Sequence, residues 1–159
     1  VRIDYLRNNP VFESHLAELS CTEWQHLYGN WHRDAALREF ESQRADGRLP
    51  LTLIAIEQDE LLGAVSLIFD DLPGYEHLNP WLASLLVLPE HRGEGVGSRL
   101  VREAEKLLAS NGVETAYLFT ETAHAFFERL GWQVMEQTSC HGLPIFILRK
   151  RFLNAGSPR

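Results

Sequence analysis

At 159 residues and 18.2 kDa, the chain fits one domain and leaves little room for a second. Apolar residues make up 45% and charged residues 23%, enough for a packed core, which excludes disorder, collagen and coiled coil as global readings. Twenty-two acidic side chains against 15 basic ones give a net charge of −7 without a dense basic stripe, so no nucleic-acid partner is expected.

Residues 1–6 alternate Val1, Ile3 and Tyr5 with polar neighbours and predict a short strand. They carry no signal-peptide core, and no apolar run reaches the ~18 residues of a membrane helix, so a cytoplasmic protein without membrane contact is expected. From residue 10 to 28, Phe12, Leu16, Leu19, Trp24, Leu27 and Tyr28 recur at helical spacing. A break is expected near residues 20–22 and a stop at Gly29. Residues 34–45 predict a second helix. Residues 51–56 and 61–69, rich in Leu, Ile, Val and Phe, predict a β-hairpin. A loop over 72–80 carries Pro73-Gly74 and Asn79-Pro80 as turn signals, and a strand over 81–88 ends at Pro89.

Residues 98–109 form the clearest helix, with Leu100, Val101, Ala104, Leu107 and Leu108 in one stripe and Asn111-Gly112 as the stop. A strand over 114–120 follows, then a short helix over 123–130 capped by Gly131. Residues 132–138 and 143–149 complete the chain as two paired strands. This order predicts an α/β fold with a mixed, mostly antiparallel central sheet and helices on both faces. One domain is expected over 1–154, with a tail at 155–159. Cys21 and Cys140 lie far apart, and the seven histidines form no His-x-x-x-His pair. Neither a disulfide framework nor a metal site is expected.

Chemistry concentrates in Leu85-Leu86-Val87-Leu88-Pro89-Glu90-His91-Arg92-Gly93-Glu94-Gly95-Val96-Gly97-Ser98. Glycines at 93, 95 and 97 let the backbone approach a ligand. Where such a turn enters a helix, its N–H groups converge at a point whose dipole favours an anion. Arg92 adds a positive charge, and the arrangement suits a diphosphate. A nucleotide-hydrolase loop would need a lysine that is absent, and the dinucleotide fingerprint lacks its final glycine interval.

Arg92-Gly93-Glu94-Gly95-Val96-Gly97 resembles the Arg/Gln-x-x-Gly-x-Gly/Ala signature of the GCN5-related N-acetyltransferase (GNAT) superfamily. Ala125-Phe126-Phe127-Glu128-Arg129-Leu130-Gly131-Trp132 resembles a later block of the same family, and the element order agrees along nearly the whole chain. The resemblance implies acetyl-CoA as acyl donor. It also implies transfer to a primary amine of a small molecule or peptide N terminus, by direct attack in a ternary complex. Backbone groups of Leu85, Leu86 and Val87 would meet the pantetheine arm, with the Leu85 N–H polarising the thioester carbonyl. Amides of Gly93, Glu94, Gly95, Val96, Gly97 and Ser98 would hold the pyrophosphate beside Arg92. Thr120 and Phe127 fall at further cofactor-contacting positions.

The family's usual tyrosine acid is replaced by Phe127, which has no proton to give. Tyr75, Tyr117, Cys140 and His141 are substitute donors, with Tyr75 and His141 carried as catalytic candidates; Glu76 and His77 are candidate bases. The resemblance also implies an acceptor groove, with aromatic candidates in Trp24, Tyr28, Trp31 and Trp81, and a homodimer as a partner arrangement. Two rival readings stand beside the enzyme. One is a catalytically weak or inactive acyl-CoA-binding regulatory domain, suggested by Phe127 and the absence of a glutamate on the central strand. The other is transfer of a longer acyl chain, or transfer to a hydroxyl.

Overall fold

The computed structural model describes residues 1–27 and 32–152. Tyr28, Gly29, Trp31 and the expected tail therefore lie outside the described residues. Seven strands, β1 (Arg2–Tyr5), β2 (Leu51–Glu57), β3 (Glu60–Ile68), β4 (Trp81–Val87), β5 (Thr115–Thr120), β6 (Gln133–Cys140) and β7 (Leu143–Arg151), form one sheet in the order β1-β2-β3-β4-β5-β7-β6. Every neighbouring pair is antiparallel except β4 with β5. Four helices cover it: α1 (Glu13–Trp24), α2 (Arg33–Glu41), α3 (Val96–Ser110) and α4 (His124–Arg129). This is the mixed sheet the sequence predicts.

The run Leu51-Thr52-Leu53-Ile54-Ala55-Ile56 lacks polar alternation because both faces of β2 are covered. Leu51, Leu53 and Ala55 pack with Leu100, Val101, Ala104 and Leu108 of α3. Ile54 and Ile56 pack with Leu16 and Ala17 of α1 and with Ala36 and Phe40 of α2. Two-residue turns at Gln58-Asp59 (φ 50° and 64°) and His141-Gly142 (φ 50° and 77°) close the two hairpins, matching the strand twist as primed turns do. The second is tighter than the 139–142 connection expected.

Three element boundaries differ from expectation. Helix α1 runs unbroken through residues 20–22: Ser20 faces the core, and the Thr22 hydroxyl donates within the helix to the Glu18 carbonyl at 3.1 Å instead of capping a new start. Helix α2 stops at Glu41, where the Ser42 N–H (3.2 Å) and hydroxyl (2.8 Å) both turn back to the Glu39 carbonyl. Helix α3 starts at Val96 rather than Ser98, since Gly95 at φ 83° already turns the chain into it. Among the described residues no helix is long and apolar enough to cross a membrane.

Gly63 sets how closely β3, β4 and α3 approach. A Cβ there would fall 2.6 Å from the Leu86 carbonyl oxygen and 3.2 Å from Leu100 Cδ1. Gly63→Ala is expected to cost ~1–3 kcal/mol by overpacking, lowering Tm by ~2–4 °C per kcal/mol. Thermal denaturation checks this; an unchanged Tm would mean that β4 shifts freely.

Candidate active site

Strands β4 and β5 pair at one point, Trp81 opposite Tyr117, where the Tyr117 N–H donates to the Pro80 carbonyl at 3.1 Å. Beyond it they part. Trp81 pins this apex: it is fully buried, its indole N–H donates to the Leu78 carbonyl at 2.7 Å, and its ring meets those of Tyr117 (5.9 Å) and Phe119 (6.3 Å). Strand β4 also bulges. Its register with β3 slips between Ala64 and Ser66, and Ser84 sits at φ 55°, which bends the strand locally.

The parting leaves a cavity of about 200 Å3. Leu82, Ala83, Ser84 and Leu85 wall it on one side, and Leu118, Phe119 and Thr120 on the other, with Phe127 of α4. Its remaining wall comes from the end of α1 and the turn after it, Asp71, and the residues following β5.

The glycine turn begins where β4 ends. The Arg92 side chain is tied to that end, its Nε donating to the Val87 carbonyl at 3.0 Å. Gly93 and Gly95 hold φ of 81° and 83°, and a Cβ at either would meet nothing within 4 Å, so this face of the turn is open. Helix α3 has no side-chain cap and no acid in its first turn. The Arg99 N–H reaches Gly95 at 3.1 Å, so the amides of Val96, Gly97 and Ser98 precede the helix's own ladder. Open space, amides outside that ladder, the positive helix end and Arg92 together fit a diphosphate.

Other predicted residues fall in varied places. Leu85 lines the cavity; Leu86 is buried among the α1 and α2 side chains; Val87 packs toward α3. Thr120 lines it too, its hydroxyl accepting the Ala123 N–H at 3.0 Å in the turn before α4. Phe127 is buried edge-on to Trp132 at 6.3 Å. The Glu94 carboxylate lies against His91 Nδ1 at 3.3 Å. Tyr75 does not line the cavity: its phenol donates to Glu136 on β6 and its ring stacks on His77. Glu76 turns back to the Gly74 N–H, and His141 is exposed in the β6–β7 turn. Cys140 is buried, and burial together with the charges of Asp71 and Glu121 pushes its thiol pKa up, so it is a weak acid. Of the aromatic set, Trp24 lines the cavity, whereas Trp81 is sealed at the apex.

The sequence reading missed Glu23, His26, Asp71 and Glu121, all of which line the cavity. His26 Nε2 lies 2.6 Å from Glu121 Oε1. Glu23, Asp71 and Glu121 give the cavity three carboxylates, and no lysine or arginine lines it among the described residues. They come from three separate segments, so no spacing marks them. The one usable signal was that Glu121 directly follows Thr120.

A sheet parted beside a glycine turn that enters a helix defines the acyl-CoA N-acyltransferase class. The chain belongs to the acetyltransferase (GNAT) family, whose profile matches residues 15–132, a family of acetyl-CoA-dependent N-acetyltransferases. Over 98% of its length the chain is similar to the crystal structure of aminoglycoside 6'-acetyltransferase type Ii, with 27% identity, 99% of that chain covered and a TM-score of 0.75. An aminoglycoside 6'-N-acetyltransferase complexed with coenzyme A shares the fold at 24% identity, covering 98% of this chain and 99% of that one with a TM-score of 0.76. In sequence, the chain is 28% identical over 85 residues to N-alpha-acetyltransferase 30 of Schizosaccharomyces pombe, covering 51% of this chain and 56% of that protein. The matched region thus spans about half of that relative's length.

Proposed function

We propose that the protein transfers the acetyl group of acetyl-CoA to a primary amine of a cationic small molecule or peptide N terminus, by direct attack in a ternary complex. The observation that carries this reading is the cleft between β4 and β5, lined by three carboxylates, with the open α3 turn following the end of β4.

Amides of residues 93–98 and the Arg92 guanidinium hold the pyrophosphate. Coenzyme A supplies the acetyl group as a thioester. The backbone of Leu85, Leu86 and Val87 has no β5 partner and receives the pantetheine arm. The Leu85 N–H donates to the thioester carbonyl oxygen as negative charge builds there. Holding donor and acceptor in one cleft removes part of the barrier by orientation. Glu23, Asp71 and Glu121 draw a cationic acceptor into the cleft.

Phe127 offers no proton to the leaving sulfur, where general acid catalysis is worth ~10²–10⁴-fold. A thiol pKa of ~8.5 makes thiolate a fair leaving group at neutral pH, so the actual loss is smaller. A donor role for Tyr75 or His141 requires it to enter a cavity whose walls it does not form. A cytoplasmic setting fits the unpaired Cys21 and Cys140.

The test is thiol release from acetyl-CoA across a panel of polyamines, aminoglycosides, amino acids and peptide N termini. Turnover is expected, fastest with acceptors that carry further positive charges. No release with any amine would favour the regulatory reading, in which the chain binds acyl-CoA without using it.

A further inference from the structure

Ser84, at the β4 bulge, borders two cavities. One is the cleft described above; the other is small, lies toward α1 and α2, and is shared by Ser20, Glu39, Thr52, Ser66 and Ser84. It has about 10 Å3 of room for a water centre, close to the ~10–15 Å3 that one ordered water requires. Its hydroxyls and carboxylate supply the polar partners such a water needs.

Ser20, Thr52 and Ser66 are buried, and the Thr52 and Ser66 hydroxyls bond each other at 2.7 Å. Buried hydroxyls cost stability unless they are satisfied, so packing alone does not favour a polar stripe across β2, β3 and β4. Among the described residues Glu39 is the one charged group lining this cavity; Leu16, Phe40 and Ala64 complete the wall. Burial raises its carboxyl pKa, and no lysine or arginine lines this cavity among the described residues. The titratable groups on the other side of Ser84 are Glu23, His26, Asp71 and Glu121 of the main cleft.

Resting on the N-acetyltransferase reading, we propose that Glu39 takes up the proton of the acceptor's ammonium group through the Ser84 hydroxyl and one water in the small cavity. The ammonium N–H breaks and its proton passes to Ser84 Oγ as that hydroxyl hands its own to the water. The water hands a proton to a Glu39 carboxylate oxygen. The freed nitrogen pair forms the C–N bond, and the C–S bond breaks with its pair on sulfur. The second proton that nitrogen sheds reaches the thiolate through solvent. Glu39 returns its proton to solvent before the next turnover. Glu39 is thus a positioning residue for the proton, separated from the reacting nitrogen by the Ser84 hydroxyl and one water.

Steady-state kinetics of Glu39→Gln across pH tests this. At neutral pH kcat is expected to fall ~10²-fold with both KM values nearly unchanged. The deficit shrinks as pH approaches the acceptor's own pKa, because solvent then removes the proton. Glu39→Asp restores part of the rate. Wild-type kcat falls toward acid as Glu39 is protonated, at a pH above that of an ordinary glutamate, and Glu39→Gln lacks that limb. A raised native pKa means the ionised carboxylate weakens the fold once pH exceeds its unfolded value, so Glu39→Gln should melt no lower than wild type at neutral pH. Ser84→Gly keeps the left-handed backbone, removes the hydroxyl and should show the same pH pattern, which carries the test if Glu39→Gln does not fold. Parallel pH profiles for wild type and both variants, or a loss confined to KM, overturn the relay. Absence of thiol release by the wild type overturns the enzyme reading itself.

Discussion

Gly97→Asp should abolish coenzyme A binding while leaving the protein folded. A Cβ at residue 97 would lie 3.5 Å from Phe126 Cζ and from Val87 Cγ2, ordinary contact, so the backbone accepts a side chain there. A carboxylate in the first turn of α3 favours the helix by ~0.3–1 kcal/mol. The same carboxylate competes for the amides that the pyrophosphate needs and repels it. Two unit charges ~4 Å apart interact by ~4 kcal/mol at an effective dielectric of ~20, so a loss of at least ~10²-fold in affinity is expected. Titration calorimetry on Gly97→Ala and Gly97→Asp, each with its melting temperature, separates the effects. Alanine should bind within a few-fold of wild type, and aspartate should bind weakly without melting lower. Wild-type affinity in Gly97→Asp would place the pyrophosphate elsewhere.

The second large effect belongs to Trp81. Trp81→Ala empties a fully buried site and should cost ~3–5 kcal/mol. It also strands the carbonyl of half-buried Leu78 that the indole satisfies at 2.7 Å, which adds to the loss. Trp81→Phe keeps ring contact with Tyr117 and Phe119 and should lose less. Because Trp81 stands at the β4–β5 pairing point, its removal frees the apex from which the strands diverge. Coenzyme A affinity, measured well below the lowered Tm, should therefore fall although Trp81 does not line the cavity. A large drop in Tm with undiminished affinity would show that the cleft is held open elsewhere.

Much of the donor side is legible in the chain because its chemistry is local. Alternate glycines at 93, 95 and 97 followed by the Leu100–Leu108 stripe encode a turn, a helix and an anion-favouring helix end within a few residues of one another. The two-sided burial of β2 is likewise written in its unbroken apolar run. Boundaries were less legible: Thr22, a residue that can start a helix, sits inside α1 with its hydroxyl on the Glu18 carbonyl, and α2 ends where Ser42 turns back to Glu39.

The acceptor side is different in kind. Glu23, Asp71 and Glu121 are separated by dozens of residues, and Ser20, Glu39, Thr52, Ser66 and Ser84 come from two helices, α1 and α2, and three strands. Nothing in their spacing joins them, since each stands in a segment whose local pattern is satisfied without the others. Backbone conformation and apolar periodicity act over a few residues, so the succession of elements along the chain and the glycine turn could be read directly. A cleft arises where β4 stops pairing with β5 after one residue pair, and which carboxylates and hydroxyls face it depends on packing between distant segments. Folding alone brings those groups together.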